Sequence, residues 1–539
     1  MNESGDFLFK KILYLFLLCF ILLPINLISA EKTSKTILFI PHDNRPVSFQ
    51  QTADNIRCLG YEVITPPEKY LGNRTDPQGT PDKLAEWATE NIKKADAAVI
   101  SSDALIYGSL VASRKHNLNE KTSSDRAEKI SKIHKANMKA DIYIFGSIMR
   151  TPHTAADSGG QDDETFINHV EKISAYTALS DKQEQDSLDS NEKTLMMIYK
   201  RQIPPQILND WLSRRQTNFK ASKKLIDLLK NDDIQYLVLG CDDNAKYSQT
   251  HKERRLLDKY AGSVKGKSYY SVSGIDEIGY ILLMRAVNHL EGKVPFVSVR
   301  YADGVGEDTV PAASNEPIKH TIATQIRMAG GMQVRSDEHA DLVFMVNTAN
   351  DGSTGAANDP NNIYTANENT KNFIRMVQTA VNNNKPVGIG DIVFGNGADN
   401  SLMYGLYQHQ LLDKLNAYSG WNTPTNSTGY ALAMGMGAIY TDRVNILKML
   451  EVRYLDDWLY QSNVRQYVAN RLDSILSRGE YNELNDKKFR AQQMATAELR
   501  RLIKLYGLDE FEGQSYVSKA SIEFPWNRMY EAAIIFPKK

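Results

Sequence analysis

Cysteine is scarce in this sequence, and its scarcity limits the chemistry that the chain can carry. Of three cysteines, Cys19 lies in an apolar N-terminal stretch, which leaves Cys58 and Cys241 in the remainder. No Cys-x-x-Cys or His-x-x-x-His spacing occurs, so neither a zinc site nor a redox pair is indicated. A disulfide between Cys58 and Cys241 stays open, and Cys241 taken alone is best interpreted as a small buried hydrophobe.

The sequence also lacks a net charge, because 64 basic and 65 acidic residues leave a formal charge of −1. Such a chain has no global attraction to nucleic acid or to anionic membranes, and we expect neither as a partner. Nucleotide fingerprints are missing as well: no G-x-G-x-x-G follows the first predicted strand, and no G-x-x-x-x-G-K-[ST] occurs anywhere. The sequence therefore requires no cofactor of this class.

A long apolar run is present only at the N-terminus. Lys10 and Lys11 precede an apolar stretch over 12–28 that only Pro24 and Asn26 interrupt, and Ser29-Ala30 follows it. This pattern predicts a signal peptide over 1–30 with cleavage after Ala30. An uncleaved anchor is the alternative, since the run is nearly long enough to span a bilayer. We expect an exported protein that is extracellular, on the cell surface or periplasmic, with membrane contact only through that segment.

Short apolar runs alternate with helical patterns along most of the remaining chain. Strands are predicted at 35–41, 61–65, 97–101, 140–146, from 237, and at 268–272, 294–300, 342–346, 386–390 and 415–418. Alternation of this kind is typical of βα units and parallel sheets, and therefore of an α/β fold. About ten units are more than one eight-stranded barrel needs. We expect two Rossmann-like lobes that face a cleft, with a single (β/α) barrel as the alternative.

The pattern also predicts a domain organisation. An N-terminal α/β lobe is expected over 31–292, with a charged helical insertion at about 161–230. A second α/β lobe follows over 293–440. A helical, amphipathic C-terminal region with a short tail closes the chain over 441–539.

Polar residues follow many of the predicted strands. The clearest case is the strand that begins at Leu237, which ends in the adjacent carboxylates Asp242 and Asp243. In parallel sheets this carboxyl edge is where ligands bind. Further candidates with the same position or with a loop position nearby are Asp43, Arg45, Asp103, Arg150, Asp276, Asp391, Asn396, Asp399, Trp421, Asn422 and Asn426.

This set of carboxylates, amides and an aromatic ring suits a polyhydroxyl ligand. Carboxylates and amides hydrogen-bond hydroxyl groups, and an indole ring can cover the apolar face of a sugar. Carboxylates that share a pocket can also divide into one protonated and one ionised group, which is what glycoside hydrolysis needs. We therefore predict an exported glycosidase with Asp242 and Asp243 as the catalytic pair and Asp103 or Asp276 as a possible second carboxylate.

The other candidates are assigned to substrate binding on a small molecule or glycan. Arg45 and Arg150 would hold an acidic substituent, and the remaining members are Asp43, Asp391, Asn396, Asp399, Trp421, Asn422 and Asn426. Asp after a strand is often only the cap of the next helix, and for Asp43 or Asp276 alone that interpretation is favoured.

Two other classes of function stay open. One is a sugar- or polyol-binding protein without catalysis, which would have the same pocket composition. The other is a metal-dependent phosphoester hydrolase, because carboxylates with Asn oxygens can hold a divalent cation. No Asp-x-Asp-x-Asp-Gly loop of the calcium-binding type is present, so the sequence does not decide whether a metal binds.

Five motifs, spread over essentially the whole mature chain, combine residues of this kind. They are Pro41-x-Asp43-x-Arg45-Pro46-Val47, Asp242-Asp243-Asn244-Ala245, Asn396-Gly-Ala-Asp399, Gly420-Trp-Asn-Thr423 with Asn426, and Pro525-Trp-Asn-Arg528. Together they resemble a bacterial family that is catalogued only as a domain of unknown function. The chain departs from that pattern at Asn44 and Ser48, where Asp and Asn are expected. The resemblance implies a shared pocket and brings no established activity.

Overall fold

The computed structural model describes residues 34–154, 161–242, 245–311, 314–472 and 483–537. From Thr36 onward the chain forms one compact unit. The predicted signal segment over 1–30 lies outside the described residues. Within the described ranges, no helix combines the length and the apolar character that a membrane crossing needs.

Two parallel sheets dominate the fold. The first contains β1 (Thr36–Ile40), β2 (Glu62–Ile64), β3 (Ala97–Ser101), β4 (Asp141–Ile148), β5 (Tyr236–Cys241) and β6 (Tyr269–Ser273). The second contains β7 (Phe296–Tyr301), β8 (Met332–Val334), β9 (Leu342–Asn347), β11 (Val387–Asp391) and β13 (Ala417–Ser419). Two small pairs complete the strands: β10 (Gly355–Ala356) with β12 (Phe394–Gly395), and β14 (Ser521–Glu523) with β15 (Ala533–Ile535).

Both sheets have the same winding. The first has the order β2-β1-β3-β4-β5-β6, and the second has the order β8-β7-β9-β11-β13. In each, the first strand is followed by an edge strand on one side, after which the sheet grows on the other side. This is the doubly wound arrangement, in which ligands bind outside the carboxyl ends where the direction of growth reverses. The predicted α/β fold with two Rossmann-like sheets is confirmed, and neither described sheet closes into the alternative barrel.

The helices connect and cover these strands. In chain order they are α1 (Gln50–Arg57), α2 (Pro81–Asn91), α3 (Ser102–Ile106), α4 (Ala112–Lys115), α5 (Glu120–Ala136), α6 (Glu164–Ile167), α7 (Val170–Gln185), α8 (Ser190–Gln202), α9 (Pro205–Lys230), α10 (Gln249–Ala261), α11 (Ile278–Leu290), α12 (Ile318–Met328), α13 (Glu368–Asn382), α14 (Asn400–Gln408), α15 (Pro424–Gly437), α16 (Arg443–Arg453), α17 (Arg465–Leu472) and α18 (Lys488–Leu505). The stretch predicted as an insertion holds α6 to α9, and the predicted helical C-terminal region holds α16 to α18.

Helices α11 and α15 form the middle layer between the two sheets. Helix α11 packs on β3 and β4, helix α15 packs on β9, β11 and β13, and the two helices pack on each other. All 14 residues of α15 are buried, as expected for a helix with protein on every side. Its glycines permit this approach, because a Cβ atom at Gly435 would lie 2.7 Å from Leu342 Cδ2. One continuous apolar core therefore joins both sheets.

A buried carboxyl group in α16 makes stability depend on pH. Glu451 is 1% exposed and accepts one hydrogen bond of 3.0 Å from Tyr516 Oη. Burial raises the pKa of Glu451 from 4.5 to about 8. Between about pH 4.5 and pH 8, Glu451 therefore keeps its proton in the folded protein but loses it in the unfolded chain. For this reason the free energy of unfolding falls as the pH rises through this range.

We expect Glu451→Gln to raise the free energy of unfolding at pH 8 by about 1–3 kcal/mol, because glutamine has the shape of the protonated acid without its titration. At pH 4 the variant and the wild type should be equally stable. Urea unfolding at both pH values measures the difference, and an equal gain at both would contradict this origin.

Candidate active site

The carboxyl ends of the two sheets meet in a network around Arg45, Asp276 and Asn422. Arg45 follows β1, and its Nη2 and Nη1 atoms lie 2.8 and 3.4 Å from the two carboxylate oxygens of Asp276, which follows β6. Asn422 follows β13 of the other sheet and donates through Nδ2 to Asp276 Oδ2 at 2.9 Å. Asp276 is thus held by one cation and one amide from two different sheets.

Tyr530 extends this network towards the C-terminus. Its hydroxyl lies 2.8 Å from Asn422 Oδ1 and 2.8 Å from Asn396 Oδ1, and one hydroxyl proton serves only one of these acceptors at a time. The guanidinium of Arg465 stands 5.5 Å from the centre of the Tyr530 ring, and its Nη2 donates to the Asn396 carbonyl at 3.2 Å. The loop before β15 therefore closes one side of the site.

Asp43 orients Arg45 from within its own strand end. Asp43 Oδ1 accepts from the Arg45 backbone N–H at 3.1 Å and from Arg45 Nε at 2.9 Å. The ring of Trp526 lies 5.6 Å from the Arg45 guanidinium, and Trp526 Nε1 donates to Asn44 Oδ1 at 2.7 Å. Asp43 and Trp526 thus hold the Arg45 guanidinium in place. The guanidinium in turn positions the Asp276 carboxylate.

Asp242 stands at the end of β5, next to β6, and is in a different environment from Asp276. Its side chain keeps 29% exposure, against 9% for that of Asp276. Arg114 Nη2 reaches Asp242 Oδ2 only at 3.4 Å. Burial raises the pKa of Asp242, and the negative charge of Asp276 adds to the rise, while Arg114 and Arg150 oppose it. A carboxyl group with a raised pKa therefore follows the strand next to the one that leads to Asp276, which is paired with Arg45.

Arginine side chains border Asp242 on one side. Arg150, after β4, donates through Nε to Asp162 Oδ2 at 3.0 Å. Arg114, in α4, donates through Nη1 to Gln161 Oε1 at 3.1 Å. Burial lowers the pKa of Arg114, and the charge of Arg150 lowers it further, so the two guanidinium groups lie close enough to repel.

Asp103 belongs to a separate group at the growth-reversal point of the first sheet. His42 Nδ1, after β1, lies 3.0 Å from Ser101 Oγ and 3.4 Å from Asp103 Oδ2. Both side chains are buried, and the ring of His42 packs edge-on against Phe145. Asp103 therefore pairs with a histidine in the described structure.

Asp391 and Asp399 form another separate pair, at the carboxyl edge of the second sheet. Asn347 Nδ2 donates to Asp391 Oδ1 at 3.0 Å and to Asp399 Oδ2 at 3.2 Å. The Tyr418 hydroxyl donates to Asp391 Oδ2 at 2.9 Å, and Asp399 also caps α14 through the Ser401 N–H. Burial, with the charge of Asp399, raises the pKa of Asp391 to about 7. These residues organise the carboxyl edge of the second sheet through hydrogen bonds of their own.

The other candidates occupy varied positions. Trp421 is 3% exposed and packs in the core, with its ring 6.1 Å from that of Tyr530. Asn426 is buried in the first turn of α15, and its Oδ1 atom has no hydrogen-bond partner among the described residues. Asp243 and Asn244 lie outside the described residues, so the predicted Asp242–Asp243 pair has one described member.

The two cysteines outside the N-terminal stretch do not form a disulfide. Cys58 and Cys241 are both free thiols, and burial raises the pKa of Cys241 to about 12. Within the described ranges, no group of three or more His, Cys, Asp or Glu side chains is arranged to hold a metal ion.

Three residues of the polar network were not predicted from the sequence. Tyr530 lies two residues beyond the Pro525-Trp-Asn-Arg528 motif, and its closeness to this motif was the only feature of the sequence that pointed to it. Arg114 lies in a four-residue helix that follows no strand directly, so its position carried no signal. Asp457 Oδ2 accepts from Ser419 Oγ and from the Gly420 N–H at 3.0 and 2.9 Å, and it supports the strand end that leads to Asn422.

The sequence model of the family described as "Protein of unknown function (DUF4127)" matches residues 37–535, which is most of the 539-residue chain. The chain therefore belongs to this family, and the resemblance to a family of unknown function is confirmed. No curated protein matches the chain. No solved structure matches it either.

Proposed function

We propose that this member of the DUF4127 family is an exported hydrolase that acts on carbohydrate, and specifically a glycosidase. One observation carries the proposal: Asp242 and Asp276 follow neighbouring strands and have contrasting electrostatic environments. Burial raises the pKa of Asp242, whereas Asp276 is paired with Arg45. The cleavage of a glycosidic bond uses two carboxyl groups in one site, one as the acid for the leaving oxygen and one at the anomeric carbon.

The two groups take different parts in the reaction. Protonated Asp242 donates its proton to the oxygen of the leaving sugar as the bond to the anomeric carbon breaks. Asp276 acts as a carboxylate at the anomeric carbon, where positive charge develops in the transition state; a water molecule forms the new bond to that carbon, and its released proton returns to the carboxyl pair. Arg45 and Asn422 position the Asp276 carboxylate through their hydrogen bonds, so its orientation is set before substrate arrives.

The surroundings support a polyhydroxyl substrate. Asn396, Asn422 and Tyr530 provide amide and phenol groups that are half-buried beside Asp276, and such groups pair well with sugar hydroxyls. Arg150 and Arg114 border the Asp242 side and favour a substrate with an acidic substituent there. The signal pattern at 1–30 supports export, which would place the enzyme where envelope or environmental glycans are met.

The test is release of reducing sugar from a panel of glycans that includes peptidoglycan and acidic polysaccharides, with and without chelator. We expect turnover by the wild type and a rate at least about 100-fold lower for Asp276→Asn. The matched control is Asp54→Asn, because Asp54 also pairs with an arginine at 2.7 Å but is 65% exposed on the surface. The control should keep the wild-type rate.

Other outcomes of this experiment would overturn the proposal. Thermal stabilisation by a sugar, with no turnover on any glycan, would favour a binding protein. Activity that chelator abolishes, together with cleavage of phosphoesters, would favour a metal-dependent hydrolase. Wild-type turnover in a folded Asp276→Asn variant would remove this carboxylate from the reaction.

A further inference from the structure

A cavity of about 440 Å³ opens beside the carboxyl edge of the second sheet. It is bordered by the loop over 348–351 after β9, by Val393 and Phe394 after β11, and by the start of α13. The direction of sheet growth reverses between β7 and β9, so the cavity adjoins the position where doubly wound sheets bind ligands. Its volume is within the range of small-molecule sites.

The floor of the cavity is rich in hydroxyl and amide groups. Thr348, Thr370 and Ser401 are buried there, and Asn369 is half-buried. Thr348 Oγ1 and Asn369 Oδ1 are buried and have no hydrogen-bond partner among the described residues. Buried polar atoms without a partner cost free energy, and hydroxyl groups of a ligand would supply the missing partners.

The charge of the lining selects against anions. Among its described residues the cavity has no lysine, arginine or histidine, and it carries two acidic residues, Asp351 and Asp399. A phosphate, sulfate or carboxylate group would find no charged partner and would face these acids. The half-buried ring of Phe394 offers a flat apolar surface of the kind that the C–H face of a sugar covers.

The cavity and the candidate active site use different residues of one short segment, 394–399. Phe394 and Asp399 line the cavity, whereas Asn396, between them, accepts a hydrogen bond from Tyr530 in the Asp276 network. Asp242 and Asp276 do not line the cavity. A ligand in the cavity therefore makes its contacts without using the two proposed catalytic carboxyl groups.

We propose that this cavity is a second binding site, specific for a neutral sugar unit, and that it works independently of Asp242 and Asp276. It binds hydroxyl groups through Thr348, Asn369 and neighbouring polar side chains, and it covers one sugar face with Phe394. The site would bind sugar even if the protein had no hydrolase activity.

Isothermal titration calorimetry of the full-length protein tests this site. The probes are glucose, galactose and N-acetylglucosamine, with glucuronate as the charged counterpart. We expect saturable binding of at least one neutral sugar and no binding of glucuronate at the same site. Phe394→Ala should weaken the affinity at least about threefold through the lost ring contact. Thr348→Val should weaken it by about two- to tenfold, and should leave the apo protein at least as stable as the wild type, because the buried hydroxyl has no partner among the described residues.

The controls separate this site from the active site. Tyr407→Ala removes an exposed aromatic side chain that does not line the cavity, and it should leave the sugar affinity unchanged. Asp276→Asn should also leave it unchanged, whatever its effect on turnover. The proposal is overturned if none of the neutral sugars binds, if Phe394→Ala and Thr348→Val bind as the wild type does, or if Asp276→Asn abolishes binding.

Discussion

Asp242→Asn is expected to lower the rate of sugar release from natural glycans by about 100- to 10,000-fold, the range that a positioned general acid contributes. The reason is that asparagine has the shape of the protonated acid but no proton to donate to the leaving oxygen. Substrates with a good leaving group, such as dinitrophenyl glycosides, need little protonation. On these the variant should keep most of the wild-type rate, whereas Asp276→Asn should lose activity on both kinds of substrate.

The pH profile gives a second measure of the same role. A general acid is active when protonated, so the wild-type rate falls as the pH rises through the pKa of Asp242. An ordinary aspartate has a pKa of about 4. Because burial raises the pKa of Asp242, the alkaline limb of the rate profile should lie at a higher pH than that. Asp242→Asn should have no such limb. A persistent alkaline limb, or equal losses on natural and activated substrates, would assign the acid to another residue.

Arg453→Met is expected to lower the free energy of unfolding by about 3–5 kcal/mol. Arg453 is 1% exposed and donates through Nη1 to Asp457 Oδ1 at 2.8 Å, and its Nη2 lies 3.5 Å from Asp456 Oδ2. Methionine fills much of the same space but leaves two carboxyl groups in the core without their cation. Urea unfolding at pH 8 measures the loss, and Arg501→Met, at an exposed pair with Glu498, should cost less than about 1 kcal/mol.

The cost of Arg453→Met should depend on pH in a definite direction. Burial raises the pKa of Asp457 to about 7 while the charge of Arg453 opposes this rise, so the variant should raise it further. An acid with a raised folded-state pKa binds its proton more readily in the folded protein, and its cost grows as the pH increases. The variant should therefore be less destabilised at pH 5 than at pH 8. An equal loss at both values would mean that packing, and not charge, is responsible.

The architecture was predictable where single strands are buried on both faces. β3 was predicted at 97–101 and occupies Ala97–Ser101, because a continuous apolar run with helices on both sides has a clear pattern. β8 was not predicted, since Met332 and Gln333 are exposed on an edge strand of three residues. Helix α15 was also missed, because threonine, serine and glycine obscure its periodicity, and its burial comes from two sheets distant in sequence.

The sequence predicted which residues belong to the site, but it did not predict which of them contact each other. The carboxyl ends of parallel strands meet at one edge, so Arg45, Asp276 and Asn422 were candidates from the sequence alone. The contact between Asp276 and Asn422, however, joins residues 146 positions apart in different sheets. The sequence around Asp276 and the sequence around Asn422 do not determine how the two sheets are positioned relative to each other. For the same reason Asp391 and Asp399 were assigned to the common pocket, although Asn347 joins them into a group of their own.

The middle layer has a mechanical consequence. Helix α15 is buried along all 14 residues and packs on α11 of the other sheet, so separating the sheets would expose this helix to water. Moving the two sheets apart would therefore cost free energy in proportion to the apolar surface that it exposes. Arg45 and Asn422 hold Asp276 from opposite sheets, so the packing between the sheets sets the distance between these two residues. In the proposed mechanism, substrate would therefore bind a site whose two halves are already together, and no binding energy would be consumed in closing them.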